Sequence, residues 1–216
     1  MEKKSETAFS KRIRAVIADD HPVVREGLRA LVNSQHDMEV VSEAANGKQA
    51  VQQFLLHRPD VLLLDLRMPE MNAIEAIHAI LERAPEARII VLSTYSGDED
   101  IYQAMKAGAK AYLLKDSPRE QLLESIRTVH AGLLSISPSI GVRLAARLRG
   151  PDLTDREVDI ARLMVAGKTN KEIGASLNIT EGTVKVHVRH VLKKLGAGGR
   201  AEANRIVLER GIVHLT

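Results

Sequence analysis

Four short apolar runs stand out in the first half of this 216-residue chain: Ile13-Arg14-Ala15-Val16-Ile17-Ala18, Val61-Leu62-Leu63-Leu64, Ile89-Ile90-Val91-Leu92 and Ala111-Tyr112-Leu113-Leu114. Runs of this length and composition predict strands buried on both faces. Around them, apolar residues recur at helical spacing over 22–32, 47–57, 72–83, 98–107 and 119–130. Strand and helix therefore alternate, which predicts a parallel sheet with right-handed crossovers. After Pro151 only the helical period persists. Thr154-Asp155-Arg156-Glu157 and Thr169-Asn170-Lys171-Glu172 each fit a capping box, and Gly167 and Asn178 end the helices that these open. Thr180 caps a third helix ended by Gly196, and a fourth runs from near Arg200 to Gly211.

Between these regions, Ser135 to Gly150 contains Ser-Ile-Ser-Pro-Ser and then Ile140, Leu144 and Leu148 every fourth residue. This predicts a turn, a short amphipathic helix and a hinge at Arg149-Gly150-Pro151. The expected division is a frayed polar tail over 1–11, an α/β domain over 12–133, a linker over 134–150 and an all-α four-helix domain over 151–216.

With 44% hydrophobic and 27% charged residues, the chain has the composition of a globular protein rather than a disordered one. It has no cysteine, which excludes a disulfide scaffold and thiolate catalysis. No run approaches the roughly 20 apolar residues of a membrane span. Met1 to Arg14 is charged and lacks an apolar centre, so a cytoplasmic location is expected, with no secretory signal and no membrane contact. The overall charge of +3 conceals a division: residues 12–133 carry 14 Lys/Arg against 18 Asp/Glu, a net of −4, whereas 134–216 carry 14 against 8, a net of +6. The basic excess predicts that the C-terminal part meets a polyanion.

Asp19 and Asp20, Asp65, Ser93 and Lys115 all stand where an apolar run stops. In an open parallel sheet the functional crevice lies beyond the carboxyl ends of the strands, so these residues are expected to meet. A carboxylate can take a phosphoryl group as an acyl phosphate if a cation neutralises the crowded charge. Asp20 and Asp65 offer hard oxygen ligands for Mg²⁺, and Asp19 would act through a coordinated water. Lys115 is a point charge suited to pairing with Asp65 and then with a phosphoryl oxygen, and Ser93 supplies a hydroxyl for the phosphorylated state. An Asp pair after a strand is often only a helix cap, and a lone Lys is often only a surface group. The weight rests on type, order and strand placement agreeing at all five positions.

With Asp19-Asp20-His21, Asp65-Leu66-Arg67-Met68-Pro69, Ser93 and Gly108-Ala109-Lys110-Ala111-Tyr112-Leu113-Leu114-Lys115, residues 12–133 resemble the receiver domain of bacterial two-component response regulators. The resemblance implies a doubly wound, flavodoxin-like sheet of five strands in the order 2-1-3-4-5. It also implies phosphorylation of Asp65 by a sensor histidine kinase, and Mg²⁺ held by Asp19, Asp20, Asp65 and the backbone carbonyl of Arg67. The resemblance further implies that Ser93 and Tyr112 are paired switch residues, with Ser93 expected to move to the phosphoryl group on phosphorylation and Tyr112 to turn inward. Glu70 and Ala73 depart from the pattern, standing where many members have glycine, and a positive φ at Ala73 would carry a cost.

In the helix expected over Glu181 to Leu195, Val184, Val188, Val191 and Leu195 form one apolar stripe. Opposite it, Lys185, Arg189 and Lys193 recur every four residues with Val186 beside them, side chains suited to guanine edges, phosphates and thymine methyls. His187, His190 and Lys194 are expected to flank the groove or face phosphate, and Thr180 and Thr183 to donate to phosphate oxygens. Aromatic residues, at 2%, are too few for single-strand stacking.

Leu153 to Leu215 resembles the LuxR-type helix-turn-helix, through Leu153-Thr154-Asp155-Arg156-Glu157, Gly167-Lys168-Thr169-Asn170-Lys171-Glu172-Ile173 and Thr180-Glu181-Gly182-Thr183-Val184-Lys185-Val186-His187. Receiver plus this module resembles the NarL/FixJ subfamily. That implies base contacts from Lys185, Val186 and Arg189, and dimer contacts from the last helix, whose start Gly198 and Gly199 are expected to loosen. The reading is a transcription factor, not an enzyme, whose phosphorylation controls homodimerisation and binding to double-stranded promoter DNA. The resting receiver would cover the recognition helix. The alternative is a phosphorylation-independent DNA binder whose receiver only dimerises. A haloacid-type phosphatase would need a carboxylate at position 67, which is Arg, and a nucleotide hydrolase would need a Gly-x-x-x-x-Gly-Lys loop, which is missing.

Overall fold

The computed structural model describes residues 12–94, 97–149 and 153–213. The tail over 1–11 and the hinge at Gly150-Pro151 lie outside the described residues. Contacts divide the chain into two units, residues 1–94 with 104–136 and residues 95–103 with 137–216.

The first unit is a five-stranded parallel sheet in the order β2-β1-β3-β4-β5. Its strands are β1 (Ile13–Ala18), β2 (Met38–Ala44), β3 (Val61–Asp65), β4 (Ile89–Ser93) and β5 (Ala111–Leu114), and the helices that follow them are α1 (Pro22–Asn33), α2 (Gly47–His57), α3 (Ala73–Leu81), α4 (Asp98–Ala107) and α5 (Arg119–His130). β3 and β4 are buried at every residue, which is why they read as unbroken apolar runs. β2, Met-Glu-Val-Val-Ser-Glu-Ala, is an edge strand whose five middle residues are only half-buried, and it carries no such run. One sheet face packs Ile17, Leu63, Ile90 and Leu113 against Leu122, Ile126 and Val129 of α5 and Leu28 and Leu31 of α1. Strand alternation turns Val16, Leu62, Leu64, Val91 and Tyr112 to the other face, and all of these are fully buried.

The second unit holds α6 (Pro138–Arg149), α7 (Asp155–Val165), α8 (Asn170–Leu177), α9 (Glu181–Leu195) and α10 (Arg200–Glu209). Residues 98–103 of α4 also fall in this unit, where Asp98 and Glu99 pair with Arg143 and Arg147 of α6 and the Arg147 guanidinium lies 4.6 Å from the Tyr102 ring centre. On α6, Ile140 is buried, but Leu148 is 65% exposed, so the four-residue stripe does not continue to its end. Both capping boxes form: Thr154 with Glu157 and Thr169 with Glu172. Thr180 caps α9, and Gly196 ends it at φ 65°. Ile160, Met164, Ile173, Val184, Val191, Leu195, Ala203 and Val207 form the helical core. At the start of α10, Gly199 is extended and the Gly198 N–H donates to Glu202 Oε2 at 2.8 Å, so a side chain holds the start that the two glycines were expected to loosen. Among the described residues no helix is long and apolar enough to cross a membrane.

Candidate metal centre and nucleic-acid interface

Each acidic residue of the crevice is delivered by a strand end. Asp19 and Asp20 follow β1, and Asp65 is the last residue of β3, the neighbour of β1 in the sheet. Sheet order reverses between these two strands, and that is where a crevice opens in folds of this kind. Asp19 is 0% exposed and Asp65 4%, while Asp20 is half-buried. Lys115, one residue past β5, places Nζ 2.6 Å from Asp19 Oδ2 and 3.0 Å from Asp65 Oδ2. Ser93, the last residue of β4, is buried, and its carbonyl accepts the Lys115 backbone N–H at 2.8 Å.

Ligand atoms of Asp19, Asp20, His21 and Asp65 all lie within 4.8 Å of one another. His21 is the addition that the residue pattern did not assign. Its Nδ1 is 2.8 Å from Asp20 Oδ1, and its backbone N–H donates to Asp19 Oδ1 at 2.9 Å. Only its place directly after the Asp pair signalled it.

Three carboxylates face one ammonium, so the pocket carries excess negative charge. Burial pushes the Asp65 carboxyl up to about 6, against the downward pull of the Lys115 hydrogen bond and charge, with Asp19 adding to the rise. Burial also acts to lower the Lys115 pKa, but the hydrogen bonds that its ammonium donates to Asp19 and Asp65, with their charges, outweigh it and the net direction is upward. Oxygen ligands at this spacing and negative charge in excess suit a hard divalent cation, so the donor set fits Mg²⁺.

The β3–α3 loop differs from the expected strain. Ala73 is the first residue of α3 and fully buried, behind an Asn72–Glu75 capping box, and the positive φ of 67° sits at Glu70 instead. Tyr112 on β5 is 0% exposed, on the sheet face opposite Leu113.

On α9, Val184, Val191 and Leu195 are buried and Val188 partly so, as the apolar stripe requires. Lys185, Val186, Arg189, His190 and Lys193 are exposed together with Thr180 and Thr183, and His187 is half-buried. Val186 is 46% exposed, an apolar side chain left in solvent among cations. Lys185 pairs with Glu181 at 2.8 Å, one turn back. Lys194 sits apart from the exposed set: its Nζ is 2.6 Å from Oε2 of Glu157, a residue 3% exposed on α7. The capping motif at Glu157 was visible in the sequence, whereas its second role in tethering α9 was not.

Residues 15–127 match the response regulator receiver domain, and residues 151–207 match the bacterial regulatory proteins of the luxR family. The chain is 41% identical over 197 residues to the nitrate/nitrite response regulator protein NarL of Escherichia coli strain K12, covering 87% of this chain and 91% of that one. It is 36% identical over 215 residues to the oxygen regulatory protein NreC of Staphylococcus carnosus, covering 93% and 99%. Among solved structures, response regulator ChrA of a heme-sensing two-component system aligns with a TM-score of 0.57 at 33% identity, covering 94% of this chain and 99% of that one. The RcsB–DNA complex aligns with a TM-score of 0.67 over 92% and 99% of the chains, a likeness of fold at 23% identity.

Proposed function

Because the chain belongs to the response regulators that join a receiver domain to a LuxR-type DNA-binding domain, we propose that phosphorylation of Asp65 by a sensor histidine kinase controls its binding to double-stranded promoter DNA. The receiver is assigned to 12–133, the linker to 134–150 and the DNA-binding domain to 151–216. Lys115 carries this reading, because its ammonium bridges Asp19 and Asp65 inside a buried, metal-suited pocket.

Asp20, Asp65 and the Arg67 carbonyl would hold Mg²⁺ directly and Asp19 through water, and the ion would neutralise phosphoryl charge. With its carboxyl at about 6, Asp65 is mostly ionised at neutral pH and available as nucleophile. One of its oxygens attacks the phosphorus of a phosphohistidine, the new O–P bond forms as the N–P bond breaks, and the imidazole leaves. Lys115 then pairs with a phosphoryl oxygen, and the Ser93 hydroxyl donates to another. Ser93 moves toward the phosphoryl group and Tyr112 turns inward with it, the paired response that alters the sheet face near β4 and β5. Lys185, Val186 and Arg189 read base edges, the remaining exposed cations meet phosphates, and α10 pairs the active homodimer.

The test is affinity for duplexes selected from a random pool, measured with Mg²⁺ and with or without acetyl phosphate, for the wild type and Asp65→Asn. The wild type should tighten with the donor and form an acid-stable, base-labile adduct on Asp65, and D65N should do neither while keeping its fold. An affinity blind to the donor favours the alternative in which the receiver only dimerises.

A further inference from the structure

The loop that carries Arg67 is held from outside at its middle. It is closed at its base by the Ala73 N–H donating to the Leu66 carbonyl at 3.3 Å and turned by the Met71 N–H donating to the Pro69 carbonyl at 2.8 Å. At its tip Glu70 adopts φ 67°, the left-handed region that L side chains disfavour and that Asn or Gly usually fills. Two side chains at the N-terminus of α2, those of its N-cap Asn46 and of Lys48, take hold of that residue. Asn46 Nδ2 donates to Glu70 Oε1 at 2.9 Å, and Lys48 Nζ lies 3.4 Å from Glu70 Oε2. Between them stands Gly47, buried, where a Cβ would overlap the Met71 carbonyl. The loop thus rests directly on the first residue of α2, with no room for a side chain between them.

Asn46 is the stronger anchor. It is 8% exposed, and its Oδ1 is fixed by accepting the Gln49 N–H at 2.8 Å as the N-cap of α2. Its amide therefore points to Glu70 from a rigid base, with the donor and acceptor ends both used. Lys48 and Glu70 are half or more exposed, so their ion pair adds little.

We infer that Asn46 and Glu70 are positioning residues for the metal centre: their hydrogen bond holds the β3–α3 loop in a conformation it does not favour and so sets where the Arg67 carbonyl lies relative to Asp20 and Asp65. The inference rests on the reading of that carbonyl as a Mg²⁺ ligand. Groups hydrogen-bonded directly to a metal ligand typically change metal affinity by about 10- to 100-fold when removed, and this pair, acting through the loop three residues from Arg67, is expected at the low end of that range.

The test is calorimetric Mg²⁺ titration of the full chain, together with the Mg²⁺ dependence and saturating rate of acetyl phosphate labelling. Asn46→Asp keeps a good N-cap but sets a carboxylate against Glu70. It should weaken Mg²⁺ binding by about tenfold or more, raising the Mg²⁺ requirement for labelling while changing the saturating rate much less. The reciprocal double variant N46D/E70Q restores an amide-to-carboxylate bond with its polarity reversed, and should recover affinity to within about threefold. Glu70→Gly suits the left-handed backbone and should hold or raise the melting temperature while still losing Mg²⁺ affinity, an outcome that a purely structural role does not produce. Wild-type Mg²⁺ binding with N46D and E70G unchanged, or a double variant no better than N46D, overturns the inference alone. A wild type that takes up no Mg²⁺ overturns the metal reading as well.

Discussion

Lys115→Met removes the ammonium and keeps most of the side-chain volume. Nζ sits 2.6 Å from Asp19 Oδ2 and 3.0 Å from Asp65 Oδ2, and the three side chains are 12%, 1% and 5% exposed. Without it, two buried carboxylates face each other with no counter-charge, a change that costs about 3–5 kcal/mol. The cost depends on pH with a definite sign. Burial already raises Asp65 to about 6 against the pull of Lys115, so losing Lys115 moves it higher still. A carboxyl whose folded pKa lies above its unfolded value of about 3.9 gains stability as pH falls between the two. The loss relative to wild type should therefore be near its full size at pH 8 and shrink markedly by pH 5. Hydrogen exchange of β3 and β4 amides in the full chain reads this locally, and at about 1.4 kcal/mol per tenfold the acceleration at pH 8 should be roughly 10²-fold or more. Added Mg²⁺ should slow the variant more than the wild type. Equal acceleration at both pH values would mean that Lys115 acts by packing, and the electrostatic account of the pocket would fail.

Two further outcomes test the helical domain. Arg189→Ala should lose about 1–3 kcal/mol on its selected duplex and much less on unrelated duplex, and equal loss on both would reassign Arg189 to phosphate. Lys194→Met strips the partner from buried Glu157 and should destabilise α7 by about 2 kcal/mol at pH 7, read from amide exchange. Burial acts to raise the Glu157 carboxyl, but Lys194 and Thr154 outweigh it and hold it below the usual range. That contribution is present above pH about 4.5 and is lost as pH falls through the lower folded value, so variant and wild type should converge in acid. A gap that ignores pH would remove the ion pair from the explanation.

What the sequence alone determined was whatever depends on short-range period and local chemistry. β1, β3, β4 and β5 were legible because strands covered on both faces become apolar runs, and Asp19, Asp65, Ser93 and Lys115 because they end or follow them. The caps at Thr154, Thr169 and Thr180 were legible because a helix must satisfy its first N–H groups within three residues. Edge strand β2 escaped because its middle residues are partly exposed to solvent, and a mixed pattern is the result. Tertiary structure alone decided relations between distant segments. It placed the positive φ at Glu70 rather than Ala73, where Asn46, 24 residues away, meets the side chain, and it drew Lys194 to Glu157, 37 residues earlier. It also buried Tyr112 and brought His21 beside the acidic cluster. Periodicity records which way a side chain faces, but not which side chain waits opposite; that is fixed only when strand register and helix packing bring remote parts of the chain into contact.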